Sequence, residues 1–368
     1  MTLQGVRAAG AVRRVVLKVG SSTVAEVGLD ALSDTIHALR DAGFEVALVT
    51  SGAVACGMQC MRMSERPKEL ALVQALAAVG QADLMARYRT SFARHAVQCA
   101  QVLLTHEDLS TRKSFLNVRH AMFALLELGV VPIANENDTV ATEELRFGDN
   151  DRLAAAFATV IDADLVILLS DIPCLYDRDP RTDPSAKPVP VVEKIDASVR
   201  AMAGAAGSRV GTGGMVSKIE AAAIAVEAGI PLVIASGSDP SIALRIAHGE
   251  SEGTLFLPQK RFDRRRHWIG FLSRLDGAVL VDEGAVQALR SRGSSLLPIG
   301  VTGVEGWFER GDAVAVKGPD GAIVARGLVG YDARTLDQIR GLRSDAVAER
   351  LQRSAIDPVV HRNDLVLQ

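Results

Sequence analysis

Val15-Val16-Leu17-Lys18-Val19-Gly20-Ser21-Ser22 is the stretch whose reading decides the fold. Its first five residues are valine and leucine around a single lysine, the make-up of a strand covered on both faces. The small residues that follow mark a tight exit. The arrangement recurs in Val46-Ala47-Leu48-Val49 before Thr50-Ser51-Gly52, in Val130-Val131-Pro132-Ile133 before Asn135–Thr142, and in Leu165–Leu169 before Ser170-Asp171. Gln101–Leu104, Pro231–Ala235 and the short Leu255–Leu257 read as further strands. Helical patterns alternate with them: Leu29–Arg40, with Leu32, Ile36 and Leu39 at helix spacing, then Leu70–Tyr88, Phe115–Leu128, Asp151–Ile161, Ile219–Ala228 and Pro240–His248. Apolar strands alternating with helices predict an α/β fold, a mainly parallel central sheet with helices on both faces. Ligands of such sheets bind beyond the carboxyl ends of the strands. Those ends are Lys18–Ser22, Thr50–Gly52, Asn135–Asp138 and Ser170-Asp171, and each is polar.

The 368 residues are 48% hydrophobic and 23% charged, enough chain for a sizeable core and more than one domain. A net charge of −3 gives no electrostatic case for nucleic acid as the main partner. Four scattered cysteines, Cys56, Cys60, Cys99 and Cys174, make neither a disulfide framework nor a zinc set and fit a reducing compartment. No apolar run reaches the ~18 residues that span a bilayer, and Met1–Arg14 lacks the apolar core of a secretion signal, so the cytoplasm is the default. The expected organisation is an N-terminal tail at 1–13, a first domain at 14–258 and a basic linker at 259–274 that includes Arg264–Arg266. A small β-rich domain at 275–353 and a C-terminal tail at 354–368 follow.

Gly211-Thr212-Gly213-Gly214-Met215-Val216-Ser217-Lys218 runs into the helical stretch that begins at Ile219. Small residues allow close backbone approach to an anion, and a helix start plus a lysine favours phosphate. Neither the Walker A pattern nor G-x-G-x-x-G is met, because Ser217 precedes the lysine and Val216 stands at the last glycine. A flexible loop before a surface helix is the plainer alternative. Lys18, inside an apolar strand, is expensive to bury without a partner and points to the same crevice. Asn135-Glu136-Asn137-Asp138-Thr139 and Phe147-Gly148-Asp149-Asn150-Asp151 bracket one short segment. Together they could bind the amino and carboxylate groups of a zwitterion, and an aspartate such as Asp151 could hold two lysines in place. Tyr176 either stacks on a base or packs. None of the seven histidines lies in these segments. A carboxylate nucleophile, already ionised at neutral pH, needs no base; it needs its charge neutralised as it approaches a polyphosphate.

Taken together these motifs resemble the amino-acid kinase family. They are Leu17–Ser22, Val49–Ala53, Ala134–Asp138, Gly148–Asp151 and Gly211–Lys218. Val281–Ala285 with Arg292–Pro298 is similar to a PUA domain. The combination points to the branch that phosphorylates the γ-carboxylate of L-glutamate with ATP, the first step of proline synthesis, rather than to the branches acting on aspartate or acetylglutamate. The resemblance implies an αβα kinase fold and a role for each matching position. Lys18, Lys218 and Asp151 would be catalytic, with Asp151 organising the lysines. Ser51, Asn135, Asp138 and Asn150 would bind glutamate. Lys18, Ser170, Asp171, Thr212, Gly213, Gly214, Met215, Val216, Ser217 and Lys218 would line the ATP site. Mg²⁺ would be held mainly through the phosphates, with no metal ligands assigned to the protein. Proline as feedback inhibitor, glutamyl-phosphate reductase as the next enzyme, and a homo-oligomer are further implications, and RNA binding by the PUA-like domain is left open. Cys174 stands where the family often has glycine, and a need for positive φ there would strain the loop. Ser21 replaces the family's usual threonine and keeps the hydroxyl.

Overall fold

β1 (Arg14–Val19) is buried because it is walled on both sides: Val15, Val16, Leu17 and Val19 are fully covered. The computed structural model describes residues 12–141, 150–203, 214–258, 268–352 and 357–368. From β1 the chain continues through α1 (Ser21–Asp41), β2 (Glu45–Val49), α2 (Ala53–Cys60), α3 (Leu70–Ala93), β3 (Cys99–Leu104), α4 (His106–Ser110), α5 (Arg112–Glu127) and β4 (Val131–Glu136). Then come α6 (Asn150–Val160), β5 (Leu165–Ser170), β6 (Val191–Val192), α7 (Ala197–Met202), α8 (Met215–Glu227), β7 (Leu232–Ser236), α9 (Ile242–Ala247) and β8 (Thr254–Phe256). The eight strands form one sheet in the order β3-β4-β2-β1-β5-β7-β8-β6. Every neighbouring pair is parallel except β7 with β8. Successive connections leave β1 toward β2 on one side and toward β5 on the other, so a crevice opens at the carboxyl end of β1.

The chain divides into two units, Met1–Asp108 with Phe115–Arg261, and Leu109–Ser114 with Phe262–Gln368. The second unit holds β9 (Gly277–Val281), α10 (Glu283–Arg292), β10 (Val301–Gly306), β11 (Ala313–Lys317), β12 (Ile323–Val329), α11 (Ala333–Ile339), α12 (Ser344–Leu351) and β13 (Val360–Leu367). Its sheet order is β10-β9-β11-β12-β13. Within this unit the buried Trp268 donates its indole N–H to the Leu109 carbonyl at 3.0 Å, so the end of the expected linker is packed structure.

Several sequence expectations are corrected. Residues 360–367 are not a tail; they pair antiparallel with β12 and bury Val360, Leu365 and Val366. Val12, assigned to the N-terminal tail, packs into the first unit's core. Asn135 and Glu136 continue β4 instead of starting a loop. Lys218 lies in the first turn of α8, not ahead of it, because the helix already starts after Gly214. Cys174 is not among the non-glycine residues with positive φ, so the loop after β5 accommodates it without that strain. Tyr176 bridges to Pro188.

α2 and α3 cross with backbone in contact. A Cβ at Gly80 would lie 1.9 Å from the Ala53 carbonyl oxygen and 2.2 Å from the Gly57 nitrogen, and one at Gly57 would lie 1.9 Å from the Leu76 carbonyl oxygen. Rigid backbone cannot yield as a side chain does. Gly80→Ala is expected to destabilise this pair by about 3 kcal/mol, the upper end for overpacking. Loss of amide-exchange protection in α2 and α3 checks it.

Candidate functional site

Three side chains from three elements meet at the end of β1. Alternation along the strand puts Lys18 on the face of Val16, opposite the core face of Leu17 and Val19. Its Nζ lies 2.5 Å from Asp151 Oδ1, and Lys218 Nζ donates to Asp151 Oδ2 at 2.8 Å. Asp151 opens α6 and Lys218 opens α8, and these two helices pack side by side. The trio is buried, with Lys18 6%, Asp151 0% and Lys218 3% exposed. Burial pushes the Asp151 carboxyl up, but the charges of Lys18 and Lys218 and their hydrogen bonds outweigh it and hold the group below the usual carboxylate range. The three sum to one net positive charge, which favours an anion beside them.

Backbone donors add to that preference. α1 and α8 begin at Gly20 and Gly214, and neither start is capped by a side chain. Orphan N–H groups and the positive dipole end suit phosphate oxygens. A Cβ at Gly20 would sit 3.9 Å from Lys18 Nζ, so the lysine curls back over this turn.

On the β2–β4 side, Asn150 Nδ2 lies 2.6 Å from the Thr50 carbonyl, 2.8 Å from Ser51 Oγ and 2.9 Å from Asn135 Oδ1. The register explains the meeting, since Val49 pairs with Ala134. Asn135 Nδ2 donates to Gln81 Oε1 at 2.9 Å. Asp138 lines a cavity of about 270 Å³ together with Ala53, Gln81, Gln101, Glu136 and Thr139.

On the β5–β7 side, Ser170 Oγ donates to Asp171 Oδ1 at 2.9 Å and the Gly237 N–H donates to the Ser170 carbonyl at 2.7 Å. Asp171 is exposed and Ser170 buried. Met215, Val216 and Ser217 form the first turn of α8, and Ser217 Oγ donates to the Gly214 carbonyl at 2.8 Å. Thr212 and Gly213, with Gly148 and Asp149, lie outside the described residues, as do Arg264–Arg266. Among the described residues no cluster of three or more His, Cys, Asp or Glu could hold a metal ion.

Sequence reasoning missed Gln81, Gly237 and the Thr50–Tyr88 pair. Tyr88 Oη and Thr50 Oγ1 are 2.6 Å apart and both residues are buried, which pins the turn that carries Ser51. Burial pushes the Tyr88 phenol up, so it stays neutral. Gln81 falls on the buried stripe of α3 with Ala77, Leu84 and Tyr88, a stripe that the sequence hides because apolar residues lie all round that helix. At Gly237 a Cβ would meet Thr23 Oγ1 at 2.6 Å, a closeness only the fold reveals.

The amino acid kinase family model matches residues 13–236 and the PUA domain model residues 277–351. The chain belongs to the amino acid kinase family. It is 48% identical over 364 residues to the glutamate 5-kinase of Carboxydothermus hydrogenoformans, covering 97% of this chain and 98% of that one. It is 46% identical to the glutamate 5-kinase of Trichlorobacter lovleyi, covering 97% of each. Among solved structures, carbamate kinase from Giardia lamblia bound to AMP-PNP superposes with a TM-score of 0.51 at 17% identity, covering 68% of this chain and 99% of that one. That likeness is one of fold. This amino acid kinase therefore carries the family's domain and a PUA domain, and its relatives match both.

Proposed function

We propose that this kinase transfers the γ-phosphoryl group of ATP to the γ-carboxylate of L-glutamate, giving L-glutamyl 5-phosphate at the start of proline synthesis. The observation that carries the reading is the buried Lys18–Asp151–Lys218 trio beside the uncapped starts of α1 and α8. The full-length likeness to glutamate 5-kinases supports the choice of acid.

In this reading the acceptor lies over β2 and β4, with Ser51, Asn135, Asn150 and Asp138 around it. The nucleotide lies over β5 and β7, with Ser170, Asp171 and Gly214–Lys218 beside it; Thr212 and Gly213 belong to the same loop. The γ-carboxylate is ionised at neutral pH and attacks phosphorus in line without a base. The obstacle is repulsion between two anions. Lys18 and Lys218 offset it, and Asp151 fixes both ammonium groups so that little reorganisation is needed during transfer. Mg²⁺, held through the nucleotide phosphates, would supply further charge neutralisation.

The reading extends to the cytoplasm as the place of action, to a homo-oligomer and to a reductase that consumes the labile acyl phosphate. No described helix is long and apolar enough to cross a membrane. Free proline would compete at the acceptor side.

The test is an assay with ATP, Mg²⁺ and hydroxylamine, which traps an acyl phosphate as hydroxamate. L-Glutamate, L-aspartate and N-acetyl-L-glutamate are compared side by side, then proline is added. Hydroxamate from L-glutamate alone is the expected result; none from any of the three overturns the reading. Asp138→Ala should raise the glutamate KM roughly 10-fold or more, as expected for losing a hydrogen bond to a charged group. An unchanged KM removes Asp138 from the acceptor site.

A further inference from the structure

We propose that Gln81 binds substrate directly: its side-chain amide donates a hydrogen bond to the α-carboxylate of the acceptor amino acid. The inference rests on the L-glutamate reading above and adds a residue to it.

The orientation of Gln81 follows from its neighbours. The backbone N–H of Glu136 can only donate, and it meets Asn135 at 2.9 Å, so the oxygen of Asn135 faces it. The same oxygen accepts from Asn150 Nδ2 at 2.9 Å. The NH₂ of Asn135 is therefore on the other side and donates to Gln81 Oε1 at 2.9 Å. With its oxygen committed, Gln81 must present its NH₂ away from Asn135.

That NH₂ is buried and has no hydrogen-bond partner among the described residues. Gln81 is 8% exposed and lines the cavity of about 270 Å³ with Gln101, Glu136, Asp138 and Thr139. A buried donor without an acceptor opposes folding, so a fixed one on a residue that lines a cavity points to an acceptor supplied by a ligand entering there. Among the described residues, the charged groups on this wall, Glu136 and Asp138, are carboxylates. They suit an ammonium group and repel a carboxylate. A neutral donor is what lets the α-carboxylate settle beside them.

The connectivity of the acid supports the placement. The γ-carboxylate must reach Lys18, and the ammonium is drawn to Asp138. The α-carboxylate shares its carbon with that ammonium, so it is carried to the same cavity and to Gln81. The residue would thereby recognise the amino-acid head of the substrate while the phosphorylated end lies elsewhere.

The experiment uses the full chain with Gln81→Glu, which keeps the oxygen that accepts from Asn135 and replaces the donor by an anionic oxygen. L-Glutamate is compared with 4-aminobutyrate, the same acid without its α-carboxylate, as substrate and as competitor. Gln81→Glu should raise the L-glutamate KM roughly ten- to hundred-fold with kcat and the ATP KM little changed, as for a lost hydrogen bond to a charged group. Its affinity for 4-aminobutyrate, which has an ammonium but no α-carboxylate to repel, should not fall by more than about twofold. Equal losses for both acids, or an unchanged glutamate KM, overturn the proposal. Should Gln81→Glu fail to fold, Gln81→Met, of similar length and uncharged, is measured in the same way.

Calorimetric binding of L-glutamate without turnover separates the two readings. Wild-type binding that Gln81→Glu weakens, with no hydroxamate formed, supports Gln81 and overturns the kinase assignment. Absence of both binding and hydroxamate overturns both.

Discussion

Lys218→Ala is expected to lower turnover roughly 10²–10³-fold while the protein stays folded, the loss found on removing one preorganised charge-stabilising donor. The fold should survive for two reasons. Asp151 keeps Lys18 at 2.5 Å, so no buried carboxylate is left without a counter-ion. Alanine in the first turn of α8 is a better helix former than lysine. The chemistry should not survive as well, because the lost ammonium was held at 2.8 Å by Asp151 and could not be replaced by a mobile cation with the same placement. Hydroxamate formation at saturating glutamate and ATP measures the effect, and far-UV circular dichroism checks the fold. The fall should appear in kcat more than in either KM, since charge moves onto the transferring group only during the reaction. Turnover within a few-fold of wild type would remove Lys218 from the transfer step.

Much of this site was legible in the sequence, for a definite physical reason. A parallel sheet buried on both faces forces long apolar strands, and anything polar at their carboxyl ends stands out against that background. Lys18 was visible because a lysine within Val15–Val19 has no cheap way to be buried alone. Asp151 was visible as the charge able to pair with it. The pairing itself, two lysines on one carboxylate, depends on α6 and α8 lying side by side, which no local pattern encodes. The β-rich unit was harder to read. β10 carries Gly303 and Gly306, which dilute its strand pattern, and β13 is polar over His361–Asp364, so its edge position masked it. α11 was passed over although Asp332 caps it by accepting from the Thr335 N–H at 2.9 Å. Gln81 was missed because a glutamine in an alanine-rich helix reads as surface until its burial is known. Asp138 and Asn150 look equivalent in sequence, yet Asn150 ties Thr50, Ser51 and Asn135 together while Asp138 lines the cavity beside Gln81.

Asp151→Ala should do more damage to the fold than the loss of either lysine. It leaves two buried ammonium groups, both within 2.8 Å of the same lost carboxylate, facing each other without their shared counter-charge. Removing one side of a buried ionic cluster costs about 3–5 kcal/mol. The cost should be largest in α6 and α8, where amide exchange would show faster opening than in the remainder of the first unit. Asp151→Asn separates shape from charge: it preserves the volume and can accept from one lysine, so its loss should be smaller but of the same sign. The pH dependence of the difference between wild type and Asp151→Asn carries the sign of the effect. The folded state holds the Asp151 carboxyl below the usual carboxylate range, so its contribution is fully present above that range and is lost as pH falls through the lower folded value. Urea unfolding should therefore show a constant gap between the two proteins from pH 7 down to about 4, closing below it. A gap that instead narrows between pH 7 and pH 5 would contradict a carboxylate that stays charged across that window, and the trio would not be the fixed 2:1 cluster that the proposed phosphoryl transfer needs. Because that cluster ties α6 to β1 and is the proposed reactive centre, activity and stability should fall together in Asp151→Ala but separately in Lys218→Ala.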